Sequence, residues 1–262
     1  MKRIIHEDLE QAEVRLAMFG QELKVSVYYL DGLLIDTGPS RKAKELRAFF
    51  ESKPIEQIVL THHHEDHTGM ANWLYQRKLP IYMHENGRDI GRQSISLPFY
   101  RRVFWGQRKP FETILLKHAI QTNLYSFEPI HTPGHAPDHV SLLVKEKGWL
   151  FGGDLFVQPY PKSAFAFEDI PEMMQSLRKV LAYDFDLYIC SHAGPLPNGR
   201  QLLAKKLAYL EEMAGQIVAA HQKGWSSEEI RQVLFPNHHP MERLSFGESS
   251  PMHMIHSILK AQ

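Results

Sequence analysis

The sequence predicts an α/β fold followed by a helical C-terminal appendage. Three observations carry that expectation: short β-branched and aromatic runs alternate with helical spacings, polar residues collect where the predicted strands stop, and from about Asn198 only helical periodicity remains.

The elements follow in chain order. KVSVYYL and LLIDTG flank Asp31-Gly32, the dipeptide best suited to a type I′ turn, and predict a hairpin. Thr37-Gly38-Pro39-Ser40 breaks the second strand, and RKAKELRAFFESK then sets Leu46, Phe49 and Phe50 on one side of a helix. EQIVLT reads as a short buried strand, HHHEDHTG as a loop, GMANWLYQRK as a helix and LPIYMH as another strand. YSFEPIHTPG, SLLVKEKGWLFGGD and DFDLYICSH predict three further strands, each ending at a histidine or an aspartate. Sites in layered folds are commonly built from loops at one end of the strands, so this placement points to function.

Beyond Asn198, Leu203, Leu207, Leu210, Ala214 and Ile217 recur at helical intervals and form one apolar stripe. Ser226 with Glu229 fits a capping box before IRQVLF, and Ser250-Pro251 fits an N-cap and first helical residue before MHMIHSILK. The expected organisation is one α/β domain over residues 1–197 and a helical extension over 198–262.

Composition narrows the function classes. In 262 residues, 43% hydrophobic and 23% charged is an ordinary globular balance. Thirty basic residues against thirty acidic ones give no net charge, so the chain lacks the overall positive field of a protein that lives on nucleic acid. The N-terminus, MKRIIHEDLEQ, reaches charges before any apolar run of signal-peptide length, and no stretch approaches the roughly 18 apolar residues of a membrane span. A cytoplasmic location is therefore expected. Cys190 is the only cysteine, which excludes an intrachain disulfide and a multi-cysteine zinc site. Any metal must rest on histidine and carboxylate.

Sixteen histidines are available, and they cluster. Thr61-His62-His63-His64-Glu65-Asp66-His67-Thr68-Gly69 sets a His-x-His-x-Asp-His string directly after a predicted strand. Imidazole nitrogen and carboxylate oxygen suit zinc and similar divalent ions. Leaving a strand, His62 and His64 share a face and can reach one ion, while Asp66 and His67 turn toward a neighbouring position. A surface histidine cluster is the bland alternative; the setting between apolar elements argues against it.

This string resembles the signature of the metallo-β-lactamase superfamily. Asp36 in LLIDTG, His135 in HTPGHAPDH, Asp154 in FGGDLF and His192 in ICSHAGP resemble its other motifs, in the right order over about residues 20 to 200. The resemblance implies a four-layer αββα sandwich with the helical appendage behind it. It implies one metal on His62, His64 and His135, a second on Asp66, His67 and His192, and Asp154 bridging them, with Asp36 supporting the ligand loop. Two divalent ions follow, zinc first and iron or manganese as alternatives, activating a shared water that Asp66 orients. Spacing alone lets His131 compete with His135; the resemblance favours His135. His139 is expected to steady a ligand loop, His63 and Glu65 to point outward, Cys190 to be a buried small hydrophobe, and His238, His239 and His253 to be surface or packing residues.

Similar scaffolds serve glyoxalase II-type thioester hydrolases, lactonases, β-lactamases, phosphodiesterases and nucleases, so the resemblance does not name a substrate. The helical tail and the HTPGHxxDH spacing are most similar to the branch holding glyoxalase II-like and β-lactamase-like proteins. A metal-dependent hydrolase of a thioester or lactone carbonyl is the expectation, with a metal-dependent endoribonuclease or phosphodiesterase as the alternative and a mononuclear-iron persulfide dioxygenase behind it. No G-x-S-x-G elbow is present. The expected partner is a small-molecule substrate, with a single-stranded nucleic acid second and no membrane; the C-terminal helices could serve a homodimer. In the segment 88–111, Arg88, Arg92, Arg101, Arg102, Arg108 and Lys109 interleave with Phe99, Tyr100, Phe104, Trp105 and Phe111. This predicts a lid or wall that selects the substrate, its arginines forking to a phosphate or carboxylate. A solvated helix with an apolar inner face is the alternative.

Overall fold

The computed structural model describes residues 1–18, 21–237 and 240–262; the expectation for His238 and His239 lies outside them. Two sheets dominate. The first holds β1 (Lys2–His6), β2 (Leu9–Met18), β3 (Gln21–Leu30), β4 (Leu33–Ile35), β5 (Gln57–Val59), β6 (Ile81–Met83) and β7 (Ile114–Leu115) side by side in that order. Its first four strands are antiparallel and the pairings from β4 to β7 are parallel. The second sheet begins with β8 (Ile120–Gln121), β9 (Ser126–His131), β10 (Val140–Val144) and β11 (Trp149–Gly153). A small two-stranded ribbon pairs β12 (Ala164–Phe165) with β15 (Ser249–Ser250). β13 (Leu187–Cys190), parallel to β11, and β14 (Gly194–Leu196) complete the second sheet.

Side-chain alternation turns these sheets into layers. Tyr28 and Leu30 of β3, Leu142 and Val144 of β10, Phe151 of β11 and Ile189 of β13 meet between the sheets in one buried cluster. Val25 and Val27 of β3 point the other way. They pack with Leu46, Phe49 and Phe50 of α1 (Ala43–Glu51), and in the same cluster lie Leu74 of α3 (Ala71–Tyr75) and Phe104 of α5 (Phe99–Trp105). Between these helices come α2 (Glu65–Thr68) and α4 (Glu85–Arg92). Leu143, Leu150 and Tyr188 face outward from the second sheet, onto Leu177 of α6 (Ile170–Leu181), Leu203 and Leu210 of α7 (Gly199–Gln222), Ile230 of α8 (Ser227–Leu234) and Ile255 of α10 (Pro251–Lys260). α9 is the short helix Pro240–Leu244. Three buried clusters thus separate four layers, αββα, with residues after Asn198 packed directly on the second sheet. Truncating a side chain such as Phe49 inside one of these clusters costs about 3–5 kcal/mol.

Local expectations hold in detail. Asp31 and Gly32 both take positive φ, 45° and 86°, as a type I′ turn requires. The Ser226–Glu229 capping box forms, and Ser250 caps α10 ahead of Pro251. Two readings are corrected, and one hairpin went unread. SLLVKEKGWLFGGD is two strands, β10 and β11, because Gly148 adopts the left-handed conformation and lets the chain reverse. HHHEDHTG is not all loop: Glu65–Thr68 is a single helical turn. Residues 2–18 form the β1–β2 hairpin, whose alternating buried Ala12, Val14 and Leu16 are a period-two signal among charged neighbours. No helix among the described residues is long and apolar enough to cross a membrane.

Candidate metal centre

Loops from both sheets converge at one edge of the sandwich. β5 runs into His62, the β9–β10 connection carries His135, and Asp154 and His192 directly follow β11 and the end of β13. Backbone bonds lace these ends together: Val140 N–H to Thr61 O at 2.8 Å, Ser191 N–H to Gly153 O at 3.1 Å, and Ser26 N–H to Ser191 O at 2.7 Å. A ligand set spread over 130 residues of chain, from His62 to His192, is thus tied together by backbone hydrogen bonds between the strand ends.

The structure brings all seven predicted ligands together in two groups, His62 with His64 and His135, and Asp66 with His67, Asp154 and His192, the donor atoms of each group within 4.8 Å of one another. In the first group, His64 Nδ1 lies 3.0 Å from both His62 Nε2 and His135 Nε2. Three nitrogens around a tetrahedral zinc lie roughly 3.3 Å apart, so the spacing fits one ion. Asp154 Oδ2 lies 2.9 Å from His192 Nε2, 3.4 Å from His67 Nε2 and 3.5 Å from His135 Nε2. It touches both groups, as a bridging carboxylate must.

Two further observations show that the donors fit cations. Among the described residues His67 Nε2 and Asp154 Oδ1 are buried and have no hydrogen-bond partner, a costly state that a bound ion would relieve. The electrostatics also ask for positive charge. Burial opposes a proton on His67 and His192, yet Asp154 and Asp66 raise His67 well above its ordinary range and His192 to about 9. Burial drives His62 and His64 well below it, leaving them neutral with free lone pairs.

Supporting partners fix the rings. Asp36, with φ at 60°, accepts from the Thr61 N–H at 2.8 Å, from the Thr61 hydroxyl, and from His67 Nδ1–H at 2.8 Å. His62 Nδ1 contacts that same Thr61 hydroxyl at 3.1 Å, and His192 Nδ1–H donates to the Lys24 carbonyl. His135 Nδ1–H donates to Glu168 at 2.7 Å. In each of these four rings the partner sits on Nδ1 and leaves Nε2 turned to the cluster. His139, held neutral by burial with its pKa lowered to about 3, donates through Nδ1 to Thr132 O and accepts the Asp154 N–H on Nε2 at 3.0 Å. Gly153 is obligatory there: its φ is +50°, and a Cβ would stand 2.5 Å from His139 Nε2.

The remaining candidates sort cleanly. His131 is outside the cluster; its Nε2 bonds to Pro137 O and its ring stacks on His84, 4.0 Å between centroids. His63 points away from the cluster, to Asp138 at 2.6 Å. His253 donates to Gly247 O, and Cys190 is buried with its thiol pushed up to about 12 by burial. Glu65 does not point outward: it is buried and makes a two-pronged pair with Arg101 at 2.7 and 2.8 Å. Burial alone would lower Arg101, but Glu65, Asp66 and Glu248 hold its guanidinium above its ordinary value.

That pairing revises the reading of residues 88–111. Its helix α5 does form a wall of the site, since Tyr100, Phe104 and Trp105 line a cavity of about 280 Å³ that His64, Asp66, His135, Asp154 and His192 also line. Its cations, however, are mostly engaged. Arg108 is buried and binds the carbonyls of Ile90, Gly91 and Gln93 at the end of α4, Arg88 donates to Thr113 O, and Arg92 pairs with Asp89 and Glu112. Arg102 and Lys109 are exposed. Another part of the lining went unread in the sequence: Phe165 and Phe167 stack at 5.1 Å, and Phe167 packs edge-on against His64 at 4.8 Å. Glu168 was also missed, as was Lys206, which lines the cavity from α7. Lys206 had a signal, a cation set between Leu203 and Leu210 on the buried stripe.

Comparisons with known proteins agree with this geometry. The sequence profile of the metallo-beta-lactamase superfamily matches residues 21–192. The chain is 24% identical to the probable metallo-hydrolase YqjP of Bacillus subtilis, over 81% of each chain. It is 26% identical to the atrochrysone carboxyl ACP thioesterase of Aspergillus fumigatus over 72% of its own length, spanning 56% of that enzyme. A metallo-beta-lactamase family protein from Thermus thermophilus superposes with a TM-score of 0.70 at 19% identity, covering 97% of this chain and 93% of the other. A beta-lactamase domain protein from Burkholderia ambifaria gives 0.72 at 18% identity, with 98% and 87% covered. With the profile, the αββα sandwich and the intact donor set in agreement, the chain belongs to the metallo-beta-lactamase superfamily and is a metal-dependent hydrolase.

Proposed function

We propose that the chain hydrolyses an acyl thioester, or the related lactone carbonyl, at a dinuclear zinc centre. The observation that carries this reading is the cavity, which Tyr100, Phe104, Trp105, Phe165 and Phe167 line together with the histidine and aspartate cluster. Such walls suit an acyl group and exclude water from it. The engagement of Arg88, Arg92, Arg101 and Arg108 by groups of the chain itself weighs against a phosphate track, and a relative named as an ACP thioesterase points the same way.

In this reading His62, His64 and His135 would hold one ion and Asp66, His67 and His192 the other, with Asp154 within reach of both groups. Divalent ions at these residues would supply Lewis acidity, making a water more acidic and polarising the carbonyl oxygen. Asp66 accepts the hydrogen bond of the attacking water and aims its lone pair at the carbonyl carbon. Phe167, against His64 and His135, and Trp105, 6.4 Å from His192, narrow the mouth and hold the acyl group over the cluster. A thiolate leaving group, with a thiol pKa near 8.5, departs without a strong general acid.

The test is a panel assay of zinc-reconstituted protein on acyl thioesters, a lactone, a phosphodiester, single-stranded RNA and a persulfide with oxygen monitored. Thioester turnover that chelation removes and zinc restores is expected. RNA cleavage without thioester turnover reverses the reading, and oxygen consumption on iron loading replaces it with the dioxygenase.

A further inference from the structure

Lys206 is 5% exposed, on the face of α7 that carries Leu203 and Leu210, yet it lines the cavity. Its Nζ donates to the carbonyl oxygen of Leu155 at 2.8 Å, one residue beyond Asp154. That bond uses one of three ammonium donors. Among the described residues Lys206 forms no ion pair. The nearby carboxylates are committed: Glu168 to His135 and to the Phe165 N–H, and Asp154 to the cluster. An ammonium buried with no direct ion pair is costly, Glu168 and Asp154 acting on it only at a distance, and a hydrophobic residue would fit an apolar helix face better.

We infer that Lys206 is the anion anchor of the cavity, receiving a carboxylate or other anionic oxygen on the acyl part of the substrate. It selects acyl groups that carry a second acidic function and sets the scissile carbonyl at the cluster. The position of the acyl group rests on the thioester reading; the preference for a second anion is measurable without turnover.

Calorimetric titration of zinc-loaded protein with α,ω-dicarboxylates of three to six carbons, each against the monocarboxylate of equal length, tests the anchor in wild type and in Lys206→Met. At least one dicarboxylate should bind about tenfold or more tightly than its partner acid in wild type, and that ratio should fall to near one in the variant. The thermal midpoint of Lys206→Met is recorded alongside, since the substitution removes a buried charge but also the donor to the Leu155 carbonyl. An equal ratio in both proteins, or no preference in wild type at any length, overturns the inference. A lowered midpoint with the ratio unchanged makes Lys206 a structural staple for the Leu155 loop and overturns it too. Thioester turnover on the same preparations keeps the two claims apart: an anion preference that depends on Lys206 in a protein that cleaves no thioester sustains the anchor and removes only the reaction.

Discussion

Glu168 accepts the Nδ1 proton of His135 at 2.7 Å and so decides which nitrogen of that ring faces the cluster. A carboxylate behind a ligating imidazole fixes its tautomer and raises its basicity. Glu168→Ala should weaken zinc binding about 10- to 100-fold while the fold persists. Competition with a chromophoric chelator reads this directly, and Glu168→Gln, which retains an oxygen acceptor, should fall between variant and wild type.

Asp66 is the one carboxylate of the histidine string inside the cluster, 3.5 Å from His192 Nε2. Asp66→Ala should abolish most hydrolysis and leave the circular dichroism spectrum unchanged. Near-normal turnover in that variant removes Asp66 from the mechanism.

Arg101 and Arg102 are neighbours with opposite fates. Arg101→Ala strands Glu65, whose side chain is 1% exposed, and should cost about 3–5 kcal/mol of stability. Arg102→Ala, at an exposed site, should stay within about 0.5 kcal/mol. Denaturant unfolding of the two variants side by side checks the contrast; equal stabilities contradict the buried pair.

The string His62 to His67 was legible because adjacent residues on a strand end and one helical turn have few ways to point. The hairpin at Asp31-Gly32, the capping box at Ser226 and the stripe on α7 were legible for the same local reason. Glu168 on His135, Arg101 on Glu65 and Lys24 O on His192 join residues 33, 36 and 168 apart, and no local periodicity encodes which long-range partner a ring or carboxylate will meet. The choice between His131 and His135 was open on spacing because it depends on the turn through Pro133 and Gly134, where Gly134 takes φ of 122°. The 88–111 cations looked like a phosphate site because charge is visible in sequence and its neutralisation by Glu65, Glu112 or helix-end carbonyls is not.

Acid stability should report His139. Its folded pKa, about 3, lies below the unfolded value near 6.5, so between these pH values the unfolded chain binds one more proton and stability falls as pH falls. His139→Gln should reduce the slope of unfolding free energy against pH in that window by up to about 1.4 kcal/mol per unit. Chelator-treated protein is the sample of choice, since proton competition with metal is then absent. An unchanged slope means that His139 already carries a proton in the fold.

The dinuclear assignment stands or falls on metal stoichiometry. Elemental analysis of zinc-reconstituted, exhaustively dialysed protein should give two ions per chain in wild type and one or none in Asp154→Ala, the carboxylate that touches both groups. A single ion in wild type, with Asp154→Ala unchanged, would contradict it.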